Sequence, residues 1–489
     1  MKNASVRRLG QRFHFAFLVQ TTDLSLLKHR CRRPGAGLLQ ALFYSQGSLL
    51  EGLAVIGLGV SGRAAAHFLA ARGARLVMTD QRATLAADGT SEQLPDGTVH
   101  LGREDPAWLD GVELVVVSPG VPLSSPLAAA ARAASIPIIG ELELGCRFVS
   151  APIVAVTGTN GKSTVTLLIA AICRAAGRKT FAGGNLGTPL VEAAALAPEV
   201  AVVEVSSYQL ETIAQFKPTV AVHLNLTDDH LDRYRDRHEY ARAKARIFEN
   251  QDASDWAILN RDDPAVWPLA AAVRARVLSF GLARPARTPA LWREADAIAF
   301  DDGTRRGTIG LGTMRLPGAH NLLNVMAAAG AALALGIAPA LIEGALDGFR
   351  SLPHRLEPVC EKAGVAYIDD SKGTNVGAVI EALAAVGAPI VLIAGGVDKL
   401  GAYEPLREPL TAKVKLLILL GAARDRMSAA LAGATAIICV ATLAEAVALA
   451  ARRTQPGDTV LLSPACASFD QFKDYAERGR IFQELVRAL

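Results

Sequence analysis

"VAVTGTNGKST", residues Val154–Thr164, decides how the chain is read. An apolar run ends at Gly158, Gly161-Lys162-Ser163 follows, and "STVTLLIAAICRAAG" beyond it has a helical pattern. Strand, glycine-rich turn and helix in that order make a phosphate-binding loop. Its backbone N–H groups ring the phosphates, Lys162 pairs with the β- and γ-oxygens, and Ser163 offers a hydroxyl to Mg²⁺. The usual pattern asks for a glycine five residues before Gly161, and Val156 stands there. The loop is shortened at its front but keeps every group the chemistry uses. A loop that binds nothing is the alternative.

The same alternation runs outward in both directions. Upstream, "LAVIGLG" (Leu53–Gly59), "RAAAHFLAARG" (Arg63–Gly73), "ARLVMTD" (Ala74–Asp80) and "VELVVVSPG" (Val112–Gly120) form a small βαβ domain over residues 50–140. Downstream come the strands "VAVVEVS" and "TVAVHLNLT" with the helix "HEYARAKARIFEN", then a third series, "VAYIDDS", "PIVLIAGG", "VKLLILLG" and "TVLLSPAC". Strands alternating with helices imply parallel sheets, with ligands beyond the strands' carboxyl ends. Between these series, Arg284–Leu316 is turn-rich and predicts a small β insertion. Asn321–Leu346 predicts a helical run closing the middle segment.

At 489 residues the chain exceeds one ordinary domain. Its 51% hydrophobic and 20% charged residues are those of a globular protein, and a net charge of +4 implies no nucleic-acid partner. The six cysteines form no CxxC pair, which argues against a zinc site and for a reducing cytoplasm. The longest wholly apolar run, Val325–Ile342, is rich in Ala and Gly and contains Pro339. A buried helix suits it better than a membrane span.

Four further clusters carry chemistry. Gly57-Leu58-Gly59-Val60-Ser61-Gly62, with Asp80 ending the next strand, meets the dinucleotide fingerprint. A UDP group would use the same glycines and helix N-terminus, and a tight turn without a ligand is a third reading. Glu204 ends one strand, and Asp228, Asp229 and His230 follow the next. Mg²⁺ takes oxygen ligands, which suits Glu204 better than His230. Lys244 shares a helix face with Tyr240, Ile247 and Phe248. A packed stem with a wet amine is the reading sequence alone favours; a neutralised, modifiable lysine is the other. In the third series Asp370, Ser371, Lys372 and Thr374, then Asp398 and Lys399, then Ser463, Ser468 and Phe469 follow strands. They suit an anionic ligand such as a carboxylate, with a solvated charge cluster as the alternative.

Taken together, "GTNGKST", "GGNLGTP", "EVSSYQLE", "NLTDDHLDRY", "RAKARIF", "LPHR", "DDSKGTN", "GGVDK" and "SPACASFDQFKDYAERG" resemble the Mur ligase family from about Leu50 to the C-terminus. The last of them resembles the members that add D-glutamate. The resemblance implies an α/β fold of three domains. These are a Rossmann-like UDP-binding domain (residues 50–140), a central P-loop ATPase-type domain (141–351) and a Rossmann-like C-terminal domain for ATP and D-glutamate (352–489). It implies a cytoplasmic, monomeric enzyme with no membrane or nucleic-acid partner. The implied substrates are ATP, UDP-N-acetylmuramoyl-L-alanine and D-glutamate, joined through an acyl phosphate.

Residue by residue, the resemblance implies catalytic roles for Lys162, His230 and Lys244. It implies ATP contacts from Gly158, Thr159, Asn160, Gly161, Lys162, Ser163, Thr164, Asn321, Asn324, Arg355 and Asp370. Val60, Ser61, Asp80, Arg82, Ser118, Asn185 and His230 match the UDP-substrate site, and Lys372, Thr374, Lys399, Ser468 and Phe469 the D-glutamate site. Ser163, Glu204, His230 and Lys244, the last as a carbamate, match ligands of two Mg²⁺ ions. "GAHN" departs from the pattern with Ala319 where Gln is expected.

Another Mur ligase and a folylpolyglutamate synthase share the central domain and are the nearest rivals. A nicotinamide-dependent dehydrogenase would leave the phosphate loop and the whole third series unexplained, and a P-loop switch protein that binds nucleotide without joining substrates is a further rival. Residues 1–49 have no counterpart. Residues 1–50 carry eight basic side chains against Asp23, which predicts a disordered extension. Deleting residues 1–46 is expected to leave kcat unchanged; a large loss would make the extension part of the enzyme.

Overall fold

The computed structural model describes residues 52–85, 93–312, 318–347, 349 and 352–489, so the basic extension lies outside the described residues. Three sheets organise the rest. The first holds β1 (Leu53–Ile56), β2 (Leu76–Asp80), β3 (Thr98–Leu101), β4 (Leu114–Val117) and β5 (Ile138–Gly140) in the order β3-β2-β1-β4-β5. All of its pairs are parallel. β1 and β4 are buried at every residue, as expected of parallel strands covered on both faces. The strand order reverses between β1 and β4, so the Gly57 turn and Ser118 flank one crevice.

The central sheet contains β6 (Ile153–Thr157), β7 (Thr180–Gly184), β8 (Val200–Glu204), β9 (Val220–His223), β10 (Trp256–Asn260), β11 (Arg276–Gly281), β12 (Ala290–Glu294), β13 (Ala297–Asp301) and β14 (Arg306–Gly310). Their order is β14-β13-β12-β11-β10-β9-β6-β8-β7. Here the expected small β insertion takes its place at the edge of the sheet. β12 pairs parallel with β11, and β13 and β14 add antiparallel strands, so the segment lengthens the sheet edge.

β6 lies between β8 and β9, with Val156 opposite Glu204 and Thr157 opposite His223. This register brings the loops after β6, β8 and β9 to one edge. The helix Lys162–Ala175 follows Gly161, whose φ of +84° only glycine adopts readily. Val165, Leu168, Ile169 and Ile172 bury its apolar stripe against the sheet. The expected single helical run breaks in two, Ala319–Ala334 and Pro339–Leu346, because Gly336 turns the chain at φ +78°. Among the described residues no helix is long and apolar enough to cross a membrane.

The third sheet has β15 (Glu357–Lys362), β16 (Val365–Asp369), β17 (Ile390–Gly395), β18 (Val414–Leu420), β19 (Ala436–Cys439) and β20 (Thr459–Leu462) in the order β15-β16-β20-β17-β18-β19. Only β15 runs antiparallel.

A buried carboxylate joins the first two sheets' surroundings. Glu143, on the helix Glu141–Cys146, is fully buried. It accepts the backbone N–H groups of Ala214 (2.8 Å), Gln215 (3.0 Å) and Phe216 (2.9 Å) and pairs with Arg147 at 2.7 Å. Glu143→Ala strands all four donors and is expected to destabilise the fold by about 3–5 kcal/mol. Urea unfolding followed by circular dichroism should show the lowered midpoint, and an unchanged midpoint would contradict the account.

Candidate active site

The shortened phosphate loop has a structural explanation. Val156 is buried within β6 and paired to β8, so it cannot be a loop residue. Gly158 takes over the first glycine's work at φ +149°, where a Cβ would meet Leu224 Cβ at 2.9 Å. A Cβ on Gly161 would lie 2.3 Å from Asn324 Oδ1, so Asn324 closes the loop's far side.

Asn225, just beyond β9, shapes the loop from below. Its Oδ1 accepts from the backbone N–H groups of Thr159 (3.1 Å) and Asn160 (2.8 Å), and its Nδ2 donates to the Asn160 carbonyl at 3.1 Å. Thr159 Oγ1 donates to the Thr227 carbonyl at 3.2 Å and accepts from the Thr227 N–H at 3.0 Å. Lys162 Nζ curls back to the carbonyls of Gly158 (3.0 Å) and Thr159 (2.8 Å).

Lys244 corrects the favoured snorkelling reading. It is 1% exposed, its Nζ donates to the Gly158 carbonyl at 2.8 Å, and it sits 4.7 Å above the Tyr240 ring. The helix Arg237–Ala245 carries it beneath the loop, with Asp236 capping the first turn. Burial, then the charge of Lys162, holds its amine far below the usual lysine range. Burial also lowers Lys162, against the pull of Glu204 and Asp229.

Glu204 ends β8 and is 3% exposed. Its Oε1 accepts from Asn185 Nδ2 at 2.7 Å, while Oε2 is buried without a hydrogen-bond partner. An orphaned carboxylate oxygen beside a phosphate loop fits a hard cation. Ser163 is buried in the loop helix's first turn, and its neighbour Thr164 leaves Oγ1 buried and unpartnered.

His230, at φ +57°, is pushed down to about 4 by burial, so its imidazole is neutral at pH 7. Nδ1 lies 2.8 Å from the Tyr208 hydroxyl, and Nε2 lies 3.6 Å from Asp229 Oδ2. Asp228 points elsewhere, to Arg237 at 3.5 Å.

Asp229 links the central sheet to the third. Lys399 Nζ donates to its Oδ1 at 3.0 Å and Asn375 Nδ2 to its Oδ2 at 3.3 Å. Asn375 and Asn160 also exchange side-chain amide hydrogen bonds at 3.0 and 3.3 Å. Within the third sheet, the bridge Val397–Ala467 sets Lys399 near Ser468, and the Ala465 N–H donates to the Gly373 carbonyl at 2.9 Å. The turns carrying Lys372, Thr374, Lys399 and Ser468 thus lace together. Lys372 Nζ donates to the Tyr475 hydroxyl at 3.1 Å, and Phe469 is 73% exposed.

Of the residues expected to meet ATP, Asn321 and Asn324 are buried on the helix Ala319–Ala334. Arg355 leaves Nε buried without a hydrogen-bond partner. Burial raises Asp370 to about 7, and its oxygens accept from Ser463 Oγ (2.7 Å) and the Leu356 N–H (3.2 Å).

The first sheet's cluster stands apart. Asp80 Oδ2 accepts the Leu58 N–H at 2.7 Å, and Oδ1 accepts the Arg82 N–H and Nε at 2.9 Å each. Burial pushes this carboxyl up, but those hydrogen bonds outweigh it and hold it below the ordinary value. Asp80 thereby orders its own loop, tying the Gly57 turn to Arg82. Val60 is exposed, Ser61 is half-buried, and Ser118 Oγ is buried without a partner beside the Gly57 turn.

Sequence reasoning missed Asn225, Asn375, Tyr208 and Tyr475, and gave Asp229 no definite role. All five lie inside the quoted motifs, as small polar or aromatic residues that a lone sequence does not separate from turn formers.

Family models match in the same order as the three sheets. A Mur ligase MurD-like N-terminal domain covers residues 51–140, a Mur ligase middle domain 156–332, and a Mur ligase glutamate ligase domain 354–466. The UDP-N-acetylmuramoylalanine–D-glutamate ligase of Geotalea uraniireducens is 46% identical over 439 residues, 89% of this chain and 97% of that one. The chain belongs to the Mur ligase family. The ligase of the same name from Geobacter metallireducens is also 46% identical, over 90% of this chain and 98% of its own. The Mur ligase fold recurs at low identity. A pseudomurein peptide ligase type C from Methanothermus fervidus superposes with a TM-score of 0.58 at 20% identity, covering 90% of this chain and 99% of its own. The UDP-N-acetylmuramate–alanine ligase of Thermotoga maritima gives 0.55 at 18% identity, covering 89% and 99%.

Asn225→Ala removes two acceptor contacts and one donor from the loop. It is expected to raise KM for ATP about tenfold, roughly the effect of one net hydrogen bond. Steady-state kinetics with ATP varied would show it, and an unchanged KM would deny Asn225 its shaping role.

Proposed function

We propose that this chain uses ATP to join D-glutamate to UDP-N-acetylmuramoyl-L-alanine in peptidoglycan precursor synthesis. The observation that carries the reading is the convergence of two cation-rich strand ends at Asp229. The loop of Lys162 and the turn of Lys399 and Ser468 meet there, in a chain 46% identical to ligases of that name. The reading places the enzyme in the cytoplasm, acting as a monomer.

The residue types follow from the chemistry. A carboxylate is a poor acyl donor because its leaving group would be oxide. Its attack on the γ-phosphate of ATP forms an acyl phosphate and releases ADP, splitting one hard step into two easier ones. The D-glutamate amine then attacks the acyl carbon, phosphate leaves, and the nitrogen loses a proton. Two anions meet in the first step, so Lys162 is placed where it lowers their repulsion.

Ser163 and Glu204 would hold one Mg²⁺. His230 and a carbamate on Lys244 would hold the second, and the ions would screen phosphate charge. The orphaned Glu204 oxygen, the neutral imidazole and the buried, low-affinity amine of Lys244 fit those roles. Asn321, Asn324, Arg355 and Asp370 are assigned to the nucleotide. Val60, Ser61, Asp80, Arg82, Ser118 and Asn185 are assigned to the UDP substrate, and Lys372, Thr374, Lys399, Ser468 and Phe469 to D-glutamate. The domain limits proposed are 50–140, 141–351 and 352–489.

Phosphate release from ATP with UDP-N-acetylmuramoyl-L-alanine should depend on D-glutamate. Turnover that ignores D-glutamate, or prefers L-lysine or diaminopimelate, would replace this reading with another Mur ligase. Lys244→Ala should be nearly inactive and partly restored by short carboxylic acids that replace the carbamate. Full activity of the unsupplemented variant would remove Lys244 from the site.

A further inference from the structure

Tyr208 lies one turn beyond Glu204, on the short helix Ser207–Leu210 that follows β8. Ser206 and Gln209 fix that helix through a reciprocal capping box, so Tyr208 leaves it in a defined direction. Its hydroxyl lies 2.8 Å from His230 Nδ1, and the two rings meet edge to face at 4.9 Å. The Tyr208 ring also carries the Arg233 guanidinium, 4.3 Å from its centroid. Arg233 is held in turn by Glu211 at 2.6 Å and donates to the Pro119 carbonyl at 3.3 Å. Pro119 belongs to the turn after β4, beside Ser118. A continuous set of contacts therefore runs from the first sheet's ligand edge to His230.

We propose that Tyr208 is the positioning residue that presents His230 Nε2 to a cation. The inference rests on the reading of His230 as a metal ligand. An imidazole binds a cation through a nitrogen without hydrogen, so the other nitrogen must carry it. A hydrogen-bond acceptor at that second nitrogen fixes both tautomer and ring orientation. For His230 the groups facing the two nitrogens differ. Nε2 has Asp229 Oδ2 at 3.6 Å, beyond hydrogen-bonding distance, while Nδ1 has the Tyr208 oxygen at 2.8 Å. With Nδ1–H donated to that oxygen, the Nε2 lone pair is free on the side of Asp229 and the phosphate loop. The Tyr240 ring also meets His230 edge to face at 6.2 Å, but the hydrogen bond at Nδ1 is with Tyr208, so the phenol and its Arg233 backing set the ring plane.

Tyr208→Phe keeps the ring, its edge contact and the Arg233 stacking while deleting the acceptor. Mn²⁺ binding to the full chain can be measured by electron paramagnetic resonance, with UDP-N-acetylmuramoyl-L-alanine and a non-hydrolysable ATP analogue present. One class of Mn²⁺ is expected to bind about 10- to 100-fold more weakly in Tyr208→Phe, with the thermal melting curve unchanged. The same class should be lost in His230→Ala. If His230→Ala weakens Mn²⁺ binding and Tyr208→Phe does not, Tyr208 is only packing and the proposal is overturned. If His230→Ala leaves Mn²⁺ binding unchanged, the ligand reading beneath it fails first and the proposal goes with it.

Discussion

Lys162 and Lys244 donate to the same oxygen, the carbonyl of Gly158, at 3.0 and 2.8 Å. That carbonyl is turned toward them by a backbone with φ of +149°, open only to glycine. Two ammonium groups at one acceptor, shielded from water, repel each other strongly. The arrangement relaxes when one of them gives up its proton, and burial together with the charge of Lys162 selects Lys244. The charge of Glu204 acts on both amines in the opposite sense, with one oxygen unpartnered. The phosphate loop and the helix Arg237–Ala245 are thereby fixed to one another through a single peptide group. A neutral lysine amine is a nucleophile toward CO₂, whereas a solvated ammonium is not.

What the sequence disclosed about this centre follows how local each device is. The loop was legible because glycine, lysine and hydroxyl sit within seven consecutive residues, between a strand and a helix of plain pattern. Lys244 was not. Helical spacing identified its neighbours Tyr240, Ile247 and Phe248, but whether its amine met water depended on a loop 86 residues away. Asp80 shows the converse. Its place at the end of β2 fitted the fingerprint, yet its oxygens are engaged by Leu58 and Arg82, which spacing alone does not reveal. β12–β14 were recognisable as strands, but their attachment to β11 is a matter of register. The break in the long Ala-rich run followed from Gly336, whose left-handed turn outweighed the helical preference around it.

Asp229 extends the centre across the molecule. A lone carboxylate as buried as this one would be unfavourable. Lys399 from the third sheet, Asn375 and the His230 N–H divide its hydrogen bonds. Burial pushes its acid up, and the charge and hydrogen bond of Lys399, foremost among its neighbours, more than offset that and hold it low. Neither half of the contact is satisfied alone: removing the third sheet would strand Asp229, and removing the central loop would strand Asn375. Electrostatic satisfaction and assembly of the site are therefore one event, and motion of the third domain against the loop would be felt at Asp229 directly.

A phosphate loop by itself does not say what accepts the phosphate, since switches, kinases and synthetases share its geometry. The distinction here comes from outside the loop. Switch chemistry needs water as the acceptor and no second substrate pocket. In this chain three strand-end turns of the third sheet, carrying Lys372, Lys399 and Ser468, are laced by backbone hydrogen bonds and face the loop through Asn375 and Asp229. Cationic and hydroxyl groups on rigid turns suit an incoming amino acid with free carboxylates. On the proposed reading its amine would then displace phosphate from an acyl group formed at the loop, and the third sheet would give the ATP chemistry its direction.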